Sequence, residues 1–355
     1  MATQSQANMG WWMSRLGGTL VLVALALTAL LHGPALAQTA AQWTMKTATV
    51  APDGTPWTEG LKALKGELWT ASNKRLDVKV FSSGTLGDEN ETVTATQRGQ
   101  IQAVGASTGA LASLVTELNV LELPYLFRTQ DEADYILDKV VLTTLEKAFA
   151  ERGLILGFWS ENGYRSFGTT YGFIKSPDAL KGHKMRAQEN PVHVEMYKAF
   201  GASPVPIPIT EVLTSLKTGV VDGYDNTALF AQAAQLGAAT KYFTVTQHIY
   251  QPAAIVYNKA FYDGMPPEVK TAMLAPRTGL GPKMRREIRD LDGMLIDNFK
   301  AMKVQVYRPT PAELAAFEAP AKKARDAYIA KASAKEKALY NQIQAGLTKY
   351  RSGAR

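Results

Sequence analysis

Two arginines and an amide carry the chemistry this chain offers. Arg165 closes the stretch Glu161-Asn162-Gly163-Tyr164-Arg165, and Arg186 stands in Lys184-Met185-Arg186-Ala187. Asn226 follows Asp222-Gly223-Tyr224-Asp225. A guanidinium stays charged at any ordinary pH and presents its donors as a planar fork, so it holds both oxygens of a carboxylate in parallel bonds. An Asn amide donates to such an oxygen without adding charge. The set suits an anion presented through a carboxylate. Each residue also has an ordinary alternative, a structural ion pair for an Arg or a turn for the Asn, and residue types alone leave both open. Around them, Glu189 should alternate away from Asn190 and stand as a surface or structural residue. Asp222 should bond backbone amides at its turn, and Gly223 should permit a backbone conformation closed to other residues.

Other chemistries find little support. The chain has no cysteine, which removes disulfides, thiolate nucleophiles, thiolate metal sites and a lipid-anchored N-terminal Cys. Beyond residue 37 the histidines are His183, His193 and His248, with no pair at metal-ligand spacing and no HExxH. GxSxG occurs once, as Gly105-Ala106-Ser107-Thr108-Gly109, and GxxxxGK[ST] does not occur. A hydrolase built from scattered Ser, His and Asp stays open as an alternative, but no enzyme and no cofactor is expected. His193, early in the helix after Pro191, should be a surface or cap residue. The net charge of +7 is spread along the chain, and no basic run interleaved with aromatics marks nucleic-acid binding. The densest basic stretch, Lys283-Met284-Arg285-Arg286, should be a solvated helix face.

The elements that must position the candidate residues read as alternating strands and helices. Trp43 to Val50 suits a first strand. Thr55 and Pro56 then open a helix whose Trp57, Leu61, Leu64 and Leu68 recur at helical spacing. Leu76 to Val80 alternates as a strand. Thr129 to Glu132 is a capping box, Gly153 ends the helix that follows, and Leu154 to Trp159 is a buried strand. Phe173-Ile174 and Lys184 to Ala187 read as short strands. Pro191 opens a helix that Gly201 closes, Thr210 to Thr218 is helical up to Gly219, and Gln251 to Tyr257 is a returning strand. Thr310 to Glu313 and Ser333 to Glu336 are further capping boxes in a mostly helical C-terminal region. This pattern argues for α/β architecture with helices on both sheet faces. The length argues for two lobes, and no tether composition separates them.

Residues 1–37 read as a secretory signal peptide. Arg15 precedes an apolar run from Leu16 to Leu31, and Ala35-Leu36-Ala37 offers a cleavage site before Gln38. The expected location is the periplasm, with the leader removed. Its removal takes away one Arg and no other charged side chain, leaving a net charge of +6.

Longer stretches then connect the candidate residues. They are ENGYRSFGTT at 161–170, LKGHKMRAQENPV at 180–192 and TEVLTSLKTGVVDGYDNT at 210–227, with FSSGTLGDENETVTATQRGQIQA at 81–103 and LELPYLF at 121–127. Together they resemble the DctP-type solute-binding proteins of TRAP transporters, which carry organic acids to a membrane permease. The resemblance covers nearly all of the chain beyond its leader. It implies a two-lobed α/β periplasmic binding protein with crossing strands, a ligand cleft between the lobes and a long lobe-spanning helix near Pro282 to Met302. It also implies lobe I over 43–163 plus about 252–291, and lobe II over about 164–251 plus 292–350. Arg186 would clamp the ligand carboxylate, Asn226 would donate to it, and Arg165 would add a contact or orient the site. Among the aromatics Trp57, Tyr125, Trp159, Tyr164, Tyr171 and Tyr224, the candidates for ligand contact are Trp57, Trp159 and Tyr224. Ser107 is the hydroxyl candidate, with Thr108 beside it. The implied partners are a small-molecule carboxylate and TRAP permease subunits, with no nucleic acid. A binding protein of an ATP-driven importer is the alternative from the same functional class. Two departures stand out. Many relatives have Gly where this chain has Ser72-Asn73-Lys74-Arg75, a turn Asn73 can make in left-handed geometry. Many have Glu where Asp225 stands, which shortens a side chain expected at the pocket edge.

Overall fold

The computed structural model describes residues 41–353; the expected leader, 1–37, lies outside the described residues. Nine strands form one mixed sheet: β1 (Trp43–Ala48), β2 (Leu76–Phe81), β3 (Ala103–Ser107), β4 (Leu154–Thr169), β5 (Lys184–Ala187), β6 (Ser203–Pro206), β7 (Gly223–Asn226), β8 (Tyr242–Asn258) and β9 (Gln305–Tyr307). Their order is β2-β1-β3-β8-β4-β7-β5-β6, with β9 on β8. The architecture turns on the antiparallel pair β4 and β8. β3 pairs β8 only over Ala253–Tyr257, and β7 pairs β4 only over Ser166–Thr169. Each half of the sheet therefore grows from one end of the same two strands, and these strands join the two lobes.

The sequence suggested much shorter versions of both strands. β4 continues past Trp159 through the polar run Ser160-Glu161-Asn162-Gly163. It stays in the ladder because the pairing with β8 slips at Leu156/Phe158, Glu161/Gly163 and Arg165/Phe167. Such bulges bend a strand and raise its twist. Phe173-Ile174 is not a strand. The Ile174 N–H donates to the Thr244 hydroxyl at 3.0 Å instead of to a ladder carbonyl.

Each half carries a core on either face, as helices on both sides require. In the first half, Leu61, Leu64 and Leu68 of the helix Pro56–Ala71 pack with Met45 and Val78, while Leu118, Ile136 and Phe149 pack with Val104 and Leu156 on the other face. In the second, Met196, Phe200 and Phe317 surround Met185, and Val212, Val221 and Phe299 surround Tyr224 and Phe243. The long helix, Leu280–Ala301, belongs to both halves: Leu280, Met284 and Ile288 enter a first-half core, Ile296 and Phe299 a second-half core. Within it, Lys283 and Arg286 are exposed as expected, but Met284 is fully buried. Arg285 is buried as well, held by Asp138 at 2.6 Å and Asp134 at 3.0 Å. The stretch is thus half core, because Met284 and Arg285 fall on the helix's inner face. The final helix, Ala334–Arg351, sends Leu339, Ile343 and Leu347 into the first-half core with Leu118 and Ile136. This differs from the placement of 292–350 in lobe II; a chain passing through a second lobe can return.

Local signals mostly landed. The capping boxes Thr310/Glu313 and Ser333/Glu336 form fully. Thr129 caps its helix, but Glu132 instead accepts from Arg128 N–H and pairs with Arg351 at 2.8 Å. Thr55 occupies the N-cap in extended geometry, yet its hydroxyl donates to the Pro52 carbonyl. Asn73 is left-handed at φ 53°.

Phe299 is fully buried and stacks on Phe243 with ring centroids 4.4 Å apart. Phe299→Ala should cost about 3–5 kcal/mol through lost contacts and a residual cavity. Thermal denaturation should show a melting temperature lower by several degrees; an unchanged value would mean the long helix is not anchored there.

Candidate functional site

The three candidate residues meet at the junction of the halves. Arg165 lies on β4, Arg186 on β5 and Asn226 on β7; Ser166 pairs Asn226 in register, and Arg186 pairs Tyr224. All three line one cavity. Trp57, Ser107, Glu89 and Gln188 line it as well, so both halves contribute to its wall.

The two arginines are in opposite situations. Arg165 is almost wholly buried and each of its three guanidinium nitrogens has an acceptor: Nε and Nη2 donate to Asp225 Oδ2 and the Asp225 carbonyl, each at 2.5 Å, and Nη1 donates to Gln251 Oε1 at 2.8 Å. Burial works against its charge, but Asp225 outweighs that and raises its pKa. Arg186 is equally buried, and its Nε donates to the Ile207 carbonyl at 2.8 Å. Among the described residues, no carboxylate stands within 4.0 Å of it and its two Nη groups have no protein acceptor. Burial and then the charge of Arg165 push its pKa down to about 10. It stays a cation at neutral pH, one with a fork left over. Asn226 is also buried; its Oδ1 accepts from Thr227 N–H at 2.8 Å, and Nδ2 has no protein acceptor among the described residues. The sequence puts a free fork and a free amide beside a pocket, with a second guanidinium already neutralised behind them.

Asp225 does not lie at the pocket edge, as its motif position suggested. It is fully buried behind the cavity, where Tyr197 donates to Oδ1 at 2.9 Å and His248 Nε2 stands 3.4 Å from Oδ2. Strand alternation puts it on the face opposite Asn226. Burial alone would raise its pKa, but Arg165 and the neighbouring His248 and His193 hold it well below the usual carboxylate range. His193 is likewise no surface residue. It is wholly buried, with Nε2 2.6 Å from Glu122 Oε2. The helix after Pro191 faces the other half at that point: Asn190 caps it through Val192 N–H and donates to Asn119 Oδ1 at 2.7 Å and to the Gly109 carbonyl.

The remaining expectations divide. Trp57 lines the cavity, its Nε1 donating to the Glu161 carbonyl at 3.1 Å. Trp159 and Tyr224 do not; both belong to hydrophobic cores. Tyr224 shares Asn226's face but lies one pair along, over Gly168, whose absent side chain makes room for the ring: a Cβ there would meet Cε1 at 2.3 Å. Ser107 lines the cavity, but its hydroxyl hydrogen is committed to Glu89, and Thr108 bonds Glu122 behind the wall. Gly223 has no left-handed backbone. Close approach explains it, since a Cβ would meet the Gly168 carbonyl at 2.7 Å. Asp222 accepts from a backbone amide as expected, that of Lys184 at 2.8 Å, which ties the start of β7 to β5. Glu189 is exposed and accepts from Asn90. Glu89, Gln188 and Gln251 had not been singled out for the wall. Glu89 sits in the GDENETV segment and Gln188 just after Arg186, so proximity to motif positions was the available signal.

The description "Bacterial extracellular solute-binding protein, family 7" (DctP) matches residues 47–332. A solute-binding protein of Verminephrobacter eiseniae is 34% identical over 244 residues, spanning 68% of this chain and 73% of the relative. The 2,3-diketo-L-gulonate-binding periplasmic protein YiaO of Escherichia coli is 31% identical over 65% of this chain and 70% of its own. A TRAP periplasmic solute-binding protein of Polaromonas sp. JS666, solved with D-erythronate, superposes with TM-score 0.80 at 26% identity, covering 85% of this chain and 98% of that one.

Asp225→Asn should destabilise the fold by about 3–5 kcal/mol, because it strands Arg165 without its counter-charge. The folded pKa of Asp225 is depressed, so its contribution is complete above the ordinary value of 3.8 and is lost as pH falls through the folded value. The gap in melting temperature between parent and variant should therefore be widest at neutral pH and close in strong acid. A gap independent of pH would contradict the pairing.

Proposed function

The chain belongs to the DctP family of bacterial extracellular solute-binding proteins, and on that premise we propose that it binds an organic acid by its carboxylate and delivers it to a TRAP-type permease. The observation that carries this reading is Arg186, a buried guanidinium with both Nη groups free of protein acceptors beside the equally uncommitted Nδ2 of Asn226. A buried cation without a counterion is costly, and a carboxylate offering two oxygens relieves that cost by taking the fork. Asn226 donates to one of the same oxygens. Arg165 has Asp225 as its counter-charge already, so its part is to orient the wall through Gln251. The named ligands of the relatives, 2,3-diketo-L-gulonate and D-erythronate, support an organic acid as the ligand class.

Binding would proceed by closure of the lobes about β4 and β8. The cavity wall draws on residues from both halves, so the ligand gains its full contacts only when they close on it. The closed complex then presents itself to the permease, whose ion gradient drives transport. The reading includes export, with the leader removed near Gln38. Family members are substrate-binding proteins, and nothing in the site calls for a covalent step.

Arg186→Ala should abolish binding of every carboxylate ligand while the fold survives, a loss of about 2–5 kcal/mol. Arg186→Lys should also bind poorly, because an ammonium cannot reproduce the two-pronged fork. Calorimetry with circular dichroism as folding control is the measurement. Parent-like affinity in Arg186→Ala would refute the clamp.

A further inference from the structure

The cavity that holds Arg186 also holds an acid. Glu89 opens the helix Glu89–Gln97 and lines the same wall as Arg186 and Asn226. Its two oxygens are held from one side only: Oε1 accepts from Ser107 N–H at 2.8 Å and Oε2 from the Ser107 hydroxyl at 2.9 Å. Ser107 is itself fixed, accepting from Gln188 Nε2 at 2.9 Å and from Ala110 N–H. Among the described residues no Lys, Arg or His stands within 4.0 Å of the Glu89 carboxylate. The residue keeps some exposure, yet its carboxyl is desolvated, which pushes its pKa up to about 7, and the charges of Asp88 and Glu122 add to the rise. An ionised carboxylate offers about four acceptor positions. Ser107 fills two, which leaves acceptor capacity toward the cavity and none of the donors that a second anion would need.

We propose that Glu89 sets the specificity of this cleft: it accepts a hydrogen bond from a hydroxyl or protonated amine on the ligand, and it excludes ligands that bring a second carboxylate to that end. The inference rests on the reading that Arg186 takes the ligand's first carboxylate. Given that polarity, the two ends of the ligand meet opposite demands. The Arg186 end requires an anion, and the Glu89 end rewards a donor. A diacid would place like charges together in a desolvated wall, and like-charge juxtaposition is an effective means of rejecting wrong partners. An acid with a plain alkyl end would escape repulsion but leave the acceptor unpaired, which is also a source of discrimination. The preferred ligands are thus monocarboxylates with a donor group at the far end.

The test uses a matched series of four- to six-carbon straight-chain acids whose far end is hydroxyl, ammonium, methyl or carboxylate. Affinities are measured by calorimetry at about pH 8, where Glu89 is ionised, on the parent, Glu89→Gln and Arg186→Ala. In the parent, at the best-fitting length, the hydroxy or amino acid should bind on the order of a hundredfold more tightly than the diacid, with the methyl compound between them. Which of the two leads identifies the donor. In Glu89→Gln, whose amide can donate as well as accept, the diacid should gain at least about tenfold and the gap should shrink. If Glu89→Gln does not fold, the parent's ranking alone decides. Diacids binding the parent as tightly as the donor-bearing acids would overturn the proposal, as would a Glu89→Gln variant with an unchanged gap. Failure of the clamp looks different: acids would then bind Arg186→Ala as well as the parent, whatever their far end.

Discussion

Two guanidiniums share one buried wall, and the architecture around the cleft follows from how unequally they are balanced. Arg165 receives a full counter-charge from Asp225, which Tyr197, His248 and His193 surround. With that pair closed, Arg186 is the remaining cation, and burial, then the charge of Arg165 near it, lowers its pKa. If Asp225 were shared between the two, neither would have a free fork. On the proposed reading, the cleft's capacity for a carboxylate thus depends on that salt bridge staying closed. Two bonds to Asp225 and one to Gln251 hold Arg165 to that task.

The same buried layer links the halves. Glu122, from the first half, meets His193 of the second and accepts from Gln251 of β8, one of the two shared strands. His193, Asp225 and Arg165 continue the chain to β7 and β4. Burial opposes the charge of Glu122, yet His193 and its hydrogen bonds hold its pKa below the ordinary carboxylate value. Although His193 Nδ1 and His248 Nε2 have no hydrogen-bond partner among the described residues, buried hydrogen bonds and ion pairs are strengthened by low-dielectric surroundings and position the groups they join. Here they fix how β4, β7 and β8 meet, which is where the candidate residues are mounted. The long helix adds a second brace across the halves, with Arg289 bridging Asp134 and the buried Glu161 of β4.

Much of this was legible in the sequence, for reasons that differ by element. Helix Pro56–Ala71 announced itself by Leu61, Leu64 and Leu68 at helical spacing, and Ser333/Glu336 and Thr310/Glu313 by capping chemistry, since these signals are local. Arg186 and Asn226 were found through motif resemblance, and the structure then showed the one thing a motif cannot, which side chains lack partners. The misses share a cause: they depend on what lies across the fold. His193 looks like a surface histidine until Glu122, 71 positions earlier, is packed against it. Asp225 looks like a rim residue until Arg165 takes it. Tyr224 resembles a cleft aromatic, but the space over Gly168 draws it into a core. Strand β4 looked short because Ser160 to Gly163 is polar, and only its slipped pairing with β8 reveals that the strand continues.

The central claim is a division of labour, with Arg186 open to the ligand and Arg165 closed on Asp225. A crystal structure of the protein with a bound organic acid tests it most directly. The account predicts the ligand carboxylate on the Nη groups of Arg186 and on Nδ2 of Asn226, with the Arg165–Asp225 pair intact. A carboxylate seated on Arg165 with Asp225 displaced, or one bound away from Arg186 altogether, would contradict it.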